Sequence, residues 1–128
     1  MAGRGYRCVV ASSPRVDYLV LTLDVLDLDR QTTFWCEAFG YKHQGGVAQY
    51  HSLGDPADKM PKLLLQRVPE AKAAKNRLHI DFHVADVDAE AARIEALGAT
   101  RVARREEFGL HWVTMQDPEG NEFCLVVS

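Results

Sequence analysis

Two short stretches of the 128-residue chain hold most of its reactive side chains. His79, Asp81 and His83 alternate along LHIDFHV (78–84), and Glu122 and Cys124 alternate along EFCLVV (122–127). A neutral imidazole donates from one nitrogen and accepts at the other, so His79 with Asp81 beside it could act as an acid–base pair. Imidazole and thiolate are also metal ligands, although tetrahedral zinc wants four ligands, or three and a water. Each residue has a plainer role open to it. His79 can be a structural histidine hydrogen-bonded within a sheet, and Cys124 a small buried filler. No serine–histidine–acid or cysteine–histidine nucleophile is defined by spacing. Trp112, Phe108, Tyr50 and His111 could stack on a planar ligand or simply pack, while Trp35 suits a core or a dimer contact.

The elements that would position these groups follow from hydrophobic periodicity. Residues 18–25 (YLVLTLDV) read as a buried strand. A helix starts at Asp27-Leu28-Asp29, where acidic side chains cap free amides, and stops at Gly40. Two short strands around 47–53 and a third at 62–68 follow, joined by a loop over residues 54–61. The order then recurs: a strand at 78–84, a helix from Asp86 to Leu97 halted by Gly98, and strands at 100–105, 110–116 and 122–127. Asp117-Pro118-Glu119-Gly120-Asn121 is a turn by composition.

The halves match in residues as well as in order. Val25-Leu26-Asp27-Leu28-Asp29 corresponds to Val84-Ala85-Asp86-Val87-Asp88, and Glu37-Ala38-Phe39-Gly40 to Glu95-Ala96-Leu97-Gly98. The expected fold is therefore α+β, two βαβββ modules at about 17–70 and 76–128 forming a curved mixed sheet with helices on one face. Residues 1–16 read as an N-terminal arm. Strand parity assigns Leu19, Leu21, Leu23, Leu78, Ile80, Phe82 and Val84 to the helix-covered face. The repeat pairs Val20 with His79 and Gln66 with Cys124 on the other face. If that face curls into a groove, these side chains converge with Trp112 and Glu122 on a small-molecule pocket; otherwise it is a flat, solvated sheet.

Composition narrows the partners. Fifteen basic against eighteen acidic residues give a net charge of -3, which argues against a nucleic-acid backbone as partner. Arg101, Arg104 and Arg105 are followed at once by Glu106 and Glu107, as on a solvated strand. The apolar runs are too short to span a membrane or to serve as a signal peptide. Cys8, Cys36 and Cys124 cannot all pair, so reduced thiols in a cytoplasmic protein are expected.

The stretches LTLDVLDLDRQTTFW, KNRLHIDFHVADVDAEAARIEALGAT and WVTMQDPEGNEFCLV resemble the vicinal oxygen chelate superfamily, which includes glyoxalases, extradiol dioxygenases and bleomycin-resistance proteins. The likeness covers about residues 17–128 and is nearest the glyoxalase-like branch. It implies homodimerisation and, in metal-dependent members, one ligand from each of four strands. Carried across, those positions are Val20, Gln66, His79 and Cys124, with Glu122 a neighbour of the last. Valine cannot bind a metal and glutamine is a weak ligand, so no metal cofactor is expected, a divalent ion being the minor alternative. The expected function is binding or sequestration of a hydrophobic or aromatic metabolite or antibiotic. The alternative is an enzyme: a metal-dependent lyase or dioxygenase, or a metal-free isomerase using His79 and Asp81.

Overall fold

The structure, a computed structural model, describes Gly5 and residues 15–128. Residues 1–4 and 6–14, most of the expected arm and Cys8 included, lie outside the described residues. The element order is β1 (Val20–Val25), α1 (Leu28–Phe39), β2 (Lys42–Val47), β3 (Tyr50–Gly54), β4 (Lys62–Arg67), β5 (Asp81–Val84), α2 (Val87–Glu95), β6 (Thr100–Glu107), β7 (Leu110–Gln116) and β8 (Glu122–Val127). This is the expected pair of βαβββ modules. Hydrogen bonding does not join them into one sheet, however. Each module closes its own four-stranded mixed sheet, ordered β1-β4-β3-β2 and β5-β8-β7-β6. In each, the first strand runs parallel to the last and the remaining pairs are antiparallel.

Both helices begin on the aspartates singled out above. The Asp27 carboxylate accepts from the Arg30 N–H and the Asp86 carboxylate from the Ala89 N–H, each at 3.0 Å. This caps amides that the first helical turn leaves free. Gly40 ends α1 at φ 77°, a left-handed conformation that costs a side chain about 1 kcal/mol and glycine little. The second helix ends sooner than expected, at Glu95, and a turn through Gly98 (φ 114°) completes the stop.

The core lies between the helices and the sheets. Leu63 and Leu65 of β4 and Phe123 and Leu125 of β8 point into it, as do Trp35 and Ile94 from the helices. Trp35 is thus a core residue. Phe39 and Phe82 stack across the module boundary at a centroid distance of 3.7 Å, and Trp35 and Phe123 pack around them. Two of the residues expected inside are not. Leu19 and Leu78 are 59% and 72% exposed, because β1 and β5 start later than their apolar patterns suggest and both leucines precede the paired segment.

Polar contacts also bind the modules together. Asp117, only 2% exposed, accepts from Gln31 Nε2 (2.5 Å), Trp35 Nε1 (3.2 Å) and Asn121 Nδ2 (2.9 Å) with one oxygen. Its other oxygen accepts from the N–H groups of Glu119 and Asn121, both at 2.9 Å. Glu119 accepts from the Leu26 and Asp27 N–H groups just before α1, and Arg93 donates to the Glu37 and Ala38 carbonyls near its end. The 117–121 turn is thereby fixed against the first module, and with it the start of β8.

Candidate functional site

The face of the second sheet turned away from the helices forms the floor of a cavity of about 600 Å³. Strand register arranges that floor in rows. Arg105, Trp112, Val126 and His83 lie side by side across β6, β7, β8 and β5. In the next row are Ala103, Thr114, Cys124 and Asp81, and beyond them Gln116 and Glu122. The middle row is small-sided, which leaves room above it, while Trp112 supplies a broad ring at one end. His79 reaches the cavity from the segment just before β5, and Lys75 from the connection between the modules.

Of the residues expected to converge, His79, Asp81, Trp112, Glu122 and Cys124 all line this cavity. Val20 and Gln66 do not. They lie on the open face of the first sheet, Val20 38% exposed at the start of β1. The pairing of Gln66 with Cys124 also needs correction. Asp81 pairs with Cys124 and its counterpart Thr22 pairs with Leu64, so Leu64 is the positional twin of Cys124 and Gln66 that of Val126. Burial agrees, since Leu63 and Leu65 match Phe123 and Leu125. The cause is two more residues between helix and last strand in the second half than the helix-end match indicates, a difference that motif spacing alone does not reveal.

Individual environments limit the chemistry. Burial above all, and then the Asp81 charge, pushes the Cys124 thiol above the ordinary cysteine value, against the effect of Thr114, whose Oγ1 lies 3.5 Å from Sγ. A thiol so placed is a poor nucleophile. Glu122 is occupied: Lys72 Nζ lies 3.0 Å from its Oε2, which also accepts from the Asn76 N–H at 3.1 Å. Burial acts to raise this carboxyl, but the two donors outweigh it and hold the group below the ordinary glutamate value. Glu122 therefore anchors the connection that carries Lys75 and His79. Phe108, expected at the rim, is fully exposed on the β6–β7 hairpin tip and lines no part of the cavity. Neither Tyr50 nor His111 lines it.

The corrected ligand positions are Val20, Leu64, His79 and Cys124. Two carry no donor atom, and the third and fourth supply one imidazole and a thiol held in its protonated form. Among the described residues, no three of His, Cys, Asp and Glu are grouped so as to share a metal ion. This donor set does not fit the superfamily's metal. Sequence reasoning passed over Lys75, Thr114 and Arg105. Lys75 sits in an aperiodic connection, whereas Thr114 shares the parity of Trp112 and could have been found. Arg105 was grouped with Arg101 and Arg104, but those two pair with Glu95 and with Glu106 and Asp88, and Arg105 alone of the three lines the cavity.

The glyoxalase-like domain family model matches residues 20–126. No curated protein is a significant sequence match to the chain. Solved structures of the same fold include the genomically encoded fosfomycin resistance protein FosX from Listeria monocytogenes, 19% identical, with a TM-score of 0.74 over 88% of this chain and 93% of that one. A glyoxalase/bleomycin resistance protein/dioxygenase family enzyme from Burkholderia phytofirmans PsJN is 17% identical, with a TM-score of 0.71 over 84% and 95%. Lactoylglutathione lyase from Agrobacterium tumefaciens is 23% identical, with a TM-score of 0.65 over 90% and 95%. At these identities the likeness concerns the fold.

Proposed function

Because the chain belongs to the glyoxalase-like domain family, we propose that it is a small-molecule-binding protein that holds a planar, partly apolar compound on the open face of its second sheet without a metal. The observation that carries this reading is the cavity itself: a small-sided floor of Ala103, Thr114 and Cys124 beside the Trp112 ring, with a ligand set lacking two donors. Sequestration of an aromatic metabolite or antibiotic, in the manner of bleomycin-resistance proteins, suits such a surface. The free thiols of Cys36 and Cys124 favour a reducing, cytoplasmic setting.

A homodimer is part of the proposal. Val20 and Gln66 face away from the cavity within one chain, and a second copy could bring its first sheet over it; light scattering coupled to size exclusion tests this. Metal analysis of protein purified without chelator is the main experiment, and it should find no stoichiometric divalent ion. An ion present at one per chain and lost in His79→Ala would overturn the metal-free reading. A thermal-shift screen of planar aromatic compounds should give a stabilising compound whose effect disappears in Trp112→Ala, since a ligand that binds only the native state raises its stability. The shared position of His79 and Asp81 on the cavity wall favours a second reading, a metal-free isomerase. On that reading His79→Gln abolishes turnover while leaving ligand binding in place.

A further inference from the structure

We propose that the cavity selects an anionic ligand, a planar organic acid whose carboxylate or similar group lies against Arg105 beside Trp112. The inference rests on the binding reading above and adds the charge of the ligand to it. Four charged side chains line the cavity: Lys75, Arg105, Asp81 and Glu122. Glu122 is neutralised by Lys72 at 3.0 Å. Lys75 and Asp81 both line the cavity with opposite charges, so together they add no net charge to it. Arg105 is left as the uncompensated charge. Its neighbours Arg101 and Arg104 are each bound to a carboxylate, while no carboxylate of the described residues lies within ion-pair distance of Arg105.

Geometry fixes the orientation. Arg105 is the cross-strand partner of Trp112, so its guanidinium and the indole ring border the same end of the floor. Asp81 is three strands away, a separation of about 14 Å at the usual strand spacing. An acid is thus attracted at the β6 side, where Arg105 stands apart from Asp81. A guanidinium presents two parallel N–H donors to a carboxylate, while the ring stacks on the planar body of the ligand. An uncharged aromatic compound would keep the stacking and lose the anchor.

The test uses 2-naphthoate and its uncharged amide, 2-naphthamide, titrated by calorimetry into the full chain and into Arg105→Gln and Trp112→Ala. The expected result is naphthoate binding about two- to fivefold tighter than naphthamide, the range for one partly exposed charge pair. Arg105→Gln should bring the two affinities together by weakening naphthoate more than naphthamide, and added salt should narrow the difference in the unsubstituted protein. Equal affinities, or a preference that survives Arg105→Gln, would overturn the selection of an acid. If naphthamide still binds and Trp112→Ala abolishes it, the binding reading stands in that case. Binding of neither compound at millimolar concentration would overturn both.

Discussion

Replacing Asp117 by alanine should cost the protein much of its stability, although the residue lies outside the cavity. Its carboxylate is the acceptor for three side-chain donors that are almost entirely buried: Gln31 Nε2, Trp35 Nε1 and Asn121 Nδ2. A buried donor left without a partner costs about 1–3 kcal/mol, so the three together amount to at least about 3 kcal/mol. Of the two backbone N–H groups it also accepts from, that of Asn121 is buried and that of Glu119 part-buried, so loss of these bonds adds to the cost. For a domain whose total stability falls in the range of about 5–15 kcal/mol this is a large fraction, and it lowers the melting temperature by about 15 °C. Asp117→Asn should also be costly, since the amide must turn an N–H group toward one of its two sets of donors. Urea unfolding followed by tryptophan fluorescence and far-ultraviolet circular dichroism measures both variants. A loss under about 1 kcal/mol in the alanine variant would refute the reasoning, because among the described residues Asp117 is the acceptor these three side-chain donors use.

Two further outcomes follow from local geometry. Phe108 and Gly109 occupy the hairpin tip with φ 53° and 77°, a turn that asparagine–glycine fits better than phenylalanine–glycine. Phe108 is fully exposed and loses no packing, so Phe108→Asn should raise stability by about 0.5–1 kcal/mol; thermal unfolding with an unchanged or lower midpoint would sink this. Glu122, whose native value lies below the ordinary 4.5, contributes stability that is fully present above pH 4.5 and is lost as pH falls through the lower native value. Glu122→Gln should therefore be less stable than the parent by about 1 kcal/mol at pH 6, and the gap should close toward pH 3. A gap that stays constant across this range would show that the carboxylate charge is not what holds the connection.

Much of the frame was legible in the sequence because its signals are local. Asp27 and Asp86 cap the helices they precede, Gly40 ends the first, and the alternation in 122–127 gives the faces of β8 correctly. What escaped depends on long-range pairing. The apolar patterns around Leu19 and Leu78 continue past the point where a partner strand exists, so both residues looked buried and are not. The strand at 42–47, KHQGGV, carries two glycines and little β-propensity, and forms because β3 lies beside it. The site was legible where parity decides it, as for His79, Asp81 and Cys124. It was misread where the equivalence between modules had to be counted across a turn. Arg105 illustrates a further limit, since nothing in its sequence neighbourhood distinguishes it from the two arginines that pair with carboxylates.

The registers of the two sheets have a consequence for how such a protein can diverge. Leu53 and Met115, both fully buried, occupy equivalent places 62 residues apart, while Leu65 and Leu125 do so at a distance of 60. The modules have thus gained residues at their hairpins without any strand slipping by one, a slip that would turn every core side chain outward. The helix-facing side stays apolar in both modules, as Leu53 and Met115 or Leu63 and Phe123 show, while the opposite side differs between them. Such a duplicated scaffold offers two writing surfaces, one on each sheet, on the side away from the core. The second bears tryptophan, histidine, cysteine and arginine around a hollow. The first, with valine in place of the histidine, leucine in place of the cysteine and tyrosine in place of the tryptophan, remains available for a different text.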